Sequence, residues 1–302
     1  MDYGLAAPEK ELLGNVGELV EERGGPERLQ AAAARGAFDP ELDAALAAAA
    51  GPGAPLHLRL LVVEEAARLG LPAFPGLRLL AGYDLFGELP VLPVAVLDRC
   101  RPGPARIPAS GGLLLSVAGD DAWAADIPAA SITPVPSSFG YPYGTVAEAQ
   151  TTALPPGSAA LIRARWHLAL AGEIAGTAQG ALHQLTSHLR QREQFGAPLS
   201  SFQALRHRVA ELAVSAGAAV WLARQAAWHG DADRAALAAV YARELAVRMT
   251  PELVQLGGAR SFSLDFPLHL HAMRLEGLRL MLGSADRLAA EAMDARGRQT
   301  VA

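Results

Sequence analysis

The chain contains one cysteine, Cys100, so no disulfide can form within it. It contains one lysine, Lys10, so nearly all of its positive charge is arginine. Positive charge is not in excess: 26 Arg and Lys stand against 31 Asp and Glu, for a formal charge of −5. That balance lacks the global field expected of a nucleic-acid binder. No apolar run reaches about 18 residues without Gly, Pro or charge, so no membrane-spanning helix is expected. The opening MDYGLAAPEKELLG has acids where a signal peptide needs a basic and then an apolar stretch, so a cytoplasmic location is expected. No Walker-type phosphate loop is present, and no Gly-x-Gly-x-x-Gly lies between a strand and a helix. Ser116, Ser137 and Ser138 lack the Gly-x-Ser-x-Gly setting of a hydrolase nucleophile. His269 and His271 are two apart, which sends them to different faces of a helix, and no cysteine or carboxylate cluster joins them. No metal site is expected there.

What is present is apolar and periodic. At 51% hydrophobic and 19% charged, the chain can bury a sizeable core and is not a disordered one. Its 302 residues allow about two domains at roughly 150 residues each. Three textures follow one another. Residues 1–98 read as an N-terminal helical domain. Asp39-Pro40 opens a short Ala-rich helix that stops at Gly51, and Leu58, Leu61, Val62 and Leu69 mark the apolar side of the next. Residues 99–157 are crowded with Pro, Gly and Ser, so helix cannot run through them. Leu113–Ala118 reads there as a buried strand turning at Gly119-Asp120-Asp121, and Ser131-Ile132-Thr133 as another. This is a reduced β/loop middle domain, too small for a full sandwich or barrel.

Residues 158–302 return to helix. One long helix runs from a Ser158 cap to about Arg192. A second is capped by Ser200 or Ser201 and ends at Gly230. A third is capped by Asp231, interrupted at Thr250-Pro251 and ended by Gly257-Gly258. A fourth begins after Pro267, breaks at Gly283-Ser284 and resumes. Short turns between long helices predict an antiparallel four-helix bundle, in a chain that is mainly α.

The bundle carries an ordered series. Arg192-Glu193-Gln194-Phe195-Gly196-Ala197-Pro198-Leu199 is followed by Phe202-Gln203-Ala204. Then come Ala226-Ala227-Trp228, Val254-Gln255-Leu256-Gly257-Gly258, Phe262 and Asp265-Phe266-Pro267. Taken singly, these residues have ordinary explanations. An arginine at a helix end suits the helix dipole, a phenylalanine can be core, and paired glycines stop a helix. As a set they suit a dinucleotide. A guanidinium pairs with a pyrophosphate, an aromatic face covers an adenosine, amides reach ribose and base edges, and glycine lets backbone approach.

In order and interval the series resembles the C-terminal helical domain of the acyl-CoA dehydrogenases. The resemblance covers about residues 158–295, and Val63-Glu64-Glu65-Ala66-Ala67 is weakly similar to the family's N-terminal domain. It implies FAD, with Arg192, Gln194, Phe195, Gln203, Gln255 and Gly258 as cofactor-binding residues. In that family such residues reach across a dimer interface and hold the ADP end of a neighbour's FAD.

The same resemblance exposes losses. The family removes a substrate proton with a carboxylate at one of two positions. The matching residues here are Leu282, in Met281-Leu282-Gly283-Ser284, and Trp166, in Trp166-His167. Neither is a base, so no catalytic residue is expected in this chain. Glu173, Glu276 and His167 are the titratable residues nearest those positions, each better read as structural. The family's Thr-Glu-Pro-Gly-type and Trp-Ile-Thr-type flavin-ring segments are absent, and its Gly-Gly-x-Gly segment reads Gly258-Ala259-Arg260-Ser261.

Lost bases beside kept cofactor contacts point to a partner. The resemblance implies the short, non-catalytic subunit of a heteromeric acyl-CoA dehydrogenase, α2β2 with a full-length relative. It implies a bulky, steroid side-chain type of acyl-CoA bound mainly by that relative. Actinobacterial steroid catabolism uses such enzymes, and an Arg-rich, Ala-rich, nearly Lys-free chain fits a GC-rich genome. Two other functions stay open: a self-sufficient flavoenzyme with a relocated base, and a flavin-free scaffold that kept the bundle.

Overall fold

A computed structural model describes residues 5–101, 103–147 and 149–301. The opening Met1–Gly4 lies outside the described residues. Five helices come first: α1 Ala7–Glu22, α2 Gly25–Ala34, α3 Pro40–Ala49, α4 Leu56–Arg68 and α5 Gly76–Phe86. Asp39 caps α3 as its sequence predicts, its carboxylate accepting from Leu42 N at 2.8 Å.

The middle segment builds β1 Val94–Asp98, β2 Gly111–Ala118, β3 Asp121–Pro128, β4 Ile132–Val135, β5 Tyr143–Val146 and β6 Thr152–Ala153. One sheet has the order β1-β2-β3-β6, with β1 parallel to β2 and the other pairs antiparallel. β4 and β5 form a separate antiparallel pair. The expected strands are present, and Ala118 pairs with Asp121 so that Gly119-Asp120 alone make the turn, Gly119 at φ +55°. The small sheet packs its own apolar cluster, with Ile107, Leu114 and Ile127 at its centre.

The last segment holds α6 Ser158–Gln191, a hairpin of β7 Glu193–Gln194 and β8 Ala197–Pro198, α7 Gln203–His229, α8 Ala232–Gly257, α9 Pro267–Leu282 and α10 Ala285–Val301. The expected mainly α architecture is the one observed. α6 is the axis of the molecule. It packs against α4 and α5 on one side and α7, α8 and α9 on the other, and is buried on every face from His167 to Ala178. One apolar core therefore runs from the N-terminal helices through β1 and β2 into the bundle.

The helix starts differ in detail from the expected caps. Gly157 at φ +89° is the N-cap of α6, and Ser158 is its first helical residue. Leu199–Ser201 forms a 3-10 turn, where Ser201 Oγ donates to Pro198 O at 2.7 Å, so α7 starts at Gln203 without a hydroxyl cap. Asp231 is the N-cap residue of α8 and makes no side-chain cap bond. Pro251 does not interrupt α8, which stays helical because Met249, Thr250 and Leu253 on either side are buried in the bundle. The break at Gly283-Ser284 is present as expected.

Candidate functional site

The two expected base positions come together in space. Trp166, two turns into α6, and Leu282, the last residue of α9, line one cleft with His167, Met281 and the side chains of Arg287 and Glu291 on α10. The cleft itself is narrow, about 20 Å³, and is flanked by a recess of about 160 Å³ that Trp166 and Met281 also line and by a wider groove of about 740 Å³ along His167, Arg287 and Glu291. Its charged groups are satisfied by one another. Asp98, at the end of β1, accepts from Arg287 Nη2 at 2.8 Å and from Cys100 N at 3.0 Å. Burial raises the Asp98 carboxyl, but these bonds outweigh it and hold the group below its usual value. The Arg101 guanidinium lies over Gly283, where a Cβ would overlap it. His167 Nε2 stands 3.4 Å from Glu291, and Arg287 Nε donates to the same carboxylate at 2.5 Å. The bond from His167, with Arg287 beside it, draws the Glu291 carboxyl down to about 2.

The Glu291 shift gives a pH dependence with a definite sign. A carboxyl lowered from 4.5 to about 2 contributes stability above its unfolded value and loses it as pH falls through that window. Glu291→Gln is therefore expected to be less stable than the parent near pH 5, the margin closing as pH falls from about 4.5 to 2. Urea unfolding of both proteins across that range checks it, and a pH-independent margin would contradict it.

The other titratable candidates are tied elsewhere. Glu173 lies seven positions after Trp166 but faces the N-terminal helices, not the cleft. It is 3% exposed and clasps Arg106 with both oxygens, Arg106 Nη2 donating to Oε1 at 2.8 Å. Tyr141 Oη stands 3.5 Å from Oε2. The Arg106 guanidinium stacks over Phe74 and Tyr141, 4.8 Å from each ring centroid, and Arg274 covers Tyr141 at 4.3 Å. Burial lowers the Arg106 proton affinity, but Glu173 more than restores it, and burial pushes the Tyr143 hydroxyl up to about 12. Glu276 accepts from Arg279 Nε at 2.7 Å one turn along α9. His271 is buried between Pro267 O and Arg68 O, while His269 meets Ser261 O. Sequence reasoning missed Asp98, Arg101, Arg106, Tyr141, Arg274, Arg287 and Glu291. Only Glu173 had a local signal, a lone charge inside the apolar run Leu168–Ala178.

The expected cofactor contacts sit at one end of the bundle, where α6 ends, α7 begins and α8 ends. Arg208 at the start of α7 holds Glu252 near the end of α8 at 2.7 Å, which fixes that end. The β7–β8 hairpin turns through Phe195 and Gly196, both at positive φ (56° and 78°), as a two-residue type I′ turn requires. Phe195 is 91% exposed, its ring edge resting on Phe202 at 6.1 Å. Arg192, Gln194, Gln255 and Gly258 are all exposed, and Gln203 meets only His207, at 3.4 Å. A Cβ on Gly258, at φ +62°, would touch nothing within 4 Å. An exposed guanidinium, exposed amides, an open backbone position and an aromatic face fit an ADP group.

Residues 159–295 match the family model described as acyl-CoA dehydrogenase, C-terminal domain. Among curated proteins, acyl-CoA dehydrogenase IpdE2 of Mycolicibacterium smegmatis is 33% identical over 116 residues, which is 38% of this chain and 37% of that relative. The match thus spans about a third of the relative's own length. Among solved structures, the Tcur3481-Tcur3483 steroid ACAD superposes with TM-score 0.76 at 23% identity, covering 98% of this chain and 99% of that one. The ChsE4-ChsE5 complex from Mycobacterium tuberculosis gives 0.71 at 18% identity, covering 100% and 99%. Residues 159–295 thus match the acyl-CoA dehydrogenase C-terminal domain, and the chain as a whole shares the fold of the superposed structures.

Proposed function

We propose that this chain is the non-catalytic subunit of a heteromeric, FAD-dependent acyl-CoA dehydrogenase of the cytoplasm. One observation carries the reading. Trp166 and Leu282 stand where a base would be, while the residues suited to an ADP group lie exposed at the end of α6, the start of α7 and the end of α8. When bound, FAD supplies a hydride acceptor. This chain would hold its ADP end from across an interface: Arg192 on the pyrophosphate, Phe195 against the adenosine, Gln194, Gln203 and Gln255 on polar edges, and backbone at Gly258. The full-length partner would provide the base, the flavin-ring pocket and most acyl-CoA contacts, in an α2β2 assembly. The likeness to two paired assemblies, one named a steroid ACAD, supports a partner and a bulky acyl group of the steroid side-chain kind. A relocated base in a self-sufficient enzyme is disfavoured because Glu173 and Glu276 are already bound to Arg106 and Arg279.

The test is co-purification with a full-length acyl-CoA dehydrogenase encoded beside it. The complex is expected to carry flavin and turn over, and the chain alone to do neither. Arg192→Ala in this chain is expected to weaken flavin retention by about 10- to 100-fold, the worth of one charge-assisted bond. An active, flavin-loaded assembly of this chain by itself would overturn the proposal. A flavin-free complex would leave the scaffold reading in its place.

A further inference from the structure

α7 is apolar on its outer side as well as its inner one. From Leu212 to Ala223 it carries no charged residue. Leu212, Ala216, Val220 and Ala223 turn into the bundle and account for the buried side. The opposite side holds Val214, Trp221 and Trp228, which are 75%, 44% and 69% exposed. They recur at intervals of seven residues, so they form one row along the helix, about two turns apart. Trp228 rests on the His57 ring at 4.7 Å, and the row remains at the surface. Between Val214 and Trp221 that surface drops to Gly217 and Ala218, and a Cβ at Gly217 would touch nothing within 4 Å. Large side chains on either side of a small-residue notch form a groove that the ridge of another helix can fill. A helix that is apolar on all sides belongs in an interior, here that of an assembly.

The row runs into the residues suited to an ADP group. Gln203 opens α7 eleven residues before Val214, close to three whole turns, and His207 lies seven before it. Both are exposed and stand on the same outer side. A body that brings a dinucleotide to Gln203 therefore lies over the first turns of the row. A second copy of this chain is the poorer occupant. Two copies paired antiparallel about the Gly217-Ala218 notch would set Trp228 of each on His207 of the other and cover the Gln203 end.

We propose that the Val214, Trp221 and Trp228 row is the docking surface for the full-length partner subunit, which meets it with an apolar helix crossing at the Gly217-Ala218 notch. This rests on the reading of the chain as one subunit of a heteromeric enzyme, and assigns the main apolar contact to α7, apart from the cofactor contacts. Trp221, at the centre of the row, is the kind of anchor that carries much of an interface's affinity. The test is the affinity of the full chain for the full-length acyl-CoA dehydrogenase encoded beside it, measured by calorimetry and sedimentation. Val214→Glu and Trp221→Ala are each expected to weaken the complex by about tenfold or more. Val214→Glu changes an exposed position, so the melting temperature of the chain alone is expected to stay within about 2 °C of the parent's. Met293→Glu, at an exposed site on α10, is expected to leave the complex unchanged, and equal weakening there would overturn the proposal. Arg192→Ala is expected to lower flavin retention while the subunits stay together. A complex as tight with Val214→Glu and Trp221→Ala as with the parent, and still losing flavin with Arg192→Ala, would overturn this proposal and leave the subunit reading standing. A parent chain that binds no partner and carries its own flavin would overturn both. Val214→Glu splitting a homodimer of this chain, with the mixed complex intact, would assign the row to a second copy and overturn the proposal.

Discussion

Glu173→Ala is expected to destabilise the chain by about 3–5 kcal/mol, because it leaves the Arg106 guanidinium buried without its counter-charge. In a chain of this size that corresponds to a fall in melting temperature of roughly 6–20 °C. The pair sits where α6 meets α5 and the middle segment. Arg106 is 4% exposed, and Gly76 leaves the room that Glu173 occupies, since a Cβ there would come 2.8 Å from Oε1. Arg106→Ala is expected to be as damaging. Replacing both partners, Arg106→Met with Glu173→Leu, is expected to recover most of the loss, since no unpaired charge remains. Thermal melts of the three variants decide it. A catalytic Glu173 would behave otherwise: alanine there would leave the melting temperature within about 2 °C and abolish turnover instead.

Gly176→Ala is expected to destabilise, although alanine is the better helix former by about 1 kcal/mol. A Cβ at Gly176 would overlap the carbonyl oxygen of Glu64, and one at Gly180 would overlap that of Arg68 and the ring of His271. With Gly172, which faces Leu60, these glycines let α6 lie directly against the backbone of α4. The obstacles at 176 and 180 are main chain, so α4 itself must move. The expected cost is about 1–3 kcal/mol or more for each site. Gly217→Ala on α7 is the counterpart, because nothing lies within 4 Å of its added carbon. It is expected to stabilise by about 0.5–1 kcal/mol. Urea unfolding of the three variants tests the contrast, and Gly176→Ala as stable as Gly217→Ala would refute the close contact.

These glycines show what the sequence could and could not reveal. Helix limits were legible wherever a breaker acts locally: Asp39-Pro40, Gly51, Gly230, Gly257-Gly258 and Gly283 all fall at ends in the structure. Pro251 was misleading because burial on both sides of it overrides a local propensity. That Trp166 and Leu282 share one narrow cleft was legible through their match to a known pattern. The charged groups that line it were not. Asp98 and Arg287 are 189 residues apart, and Arg106 and Glu173 are 67 apart. Neither lies within one helix or hairpin, where spacing could have linked them. The expected cofactor residues cluster in three short segments, and only the fold shows that they face outward.

The hairpin that carries Phe195 has one further consequence. Its two central residues take a conformation that Asn-Gly adopts at little cost and that phenylalanine adopts at roughly 1–2 kcal/mol. The ring gains little burial in return, being 91% exposed. The cost of shaping this tip is thus met when the chain folds, before anything binds. Whatever covers Phe195 meets a preorganised surface and need not order the loop on arrival, so its contacts register in full as affinity.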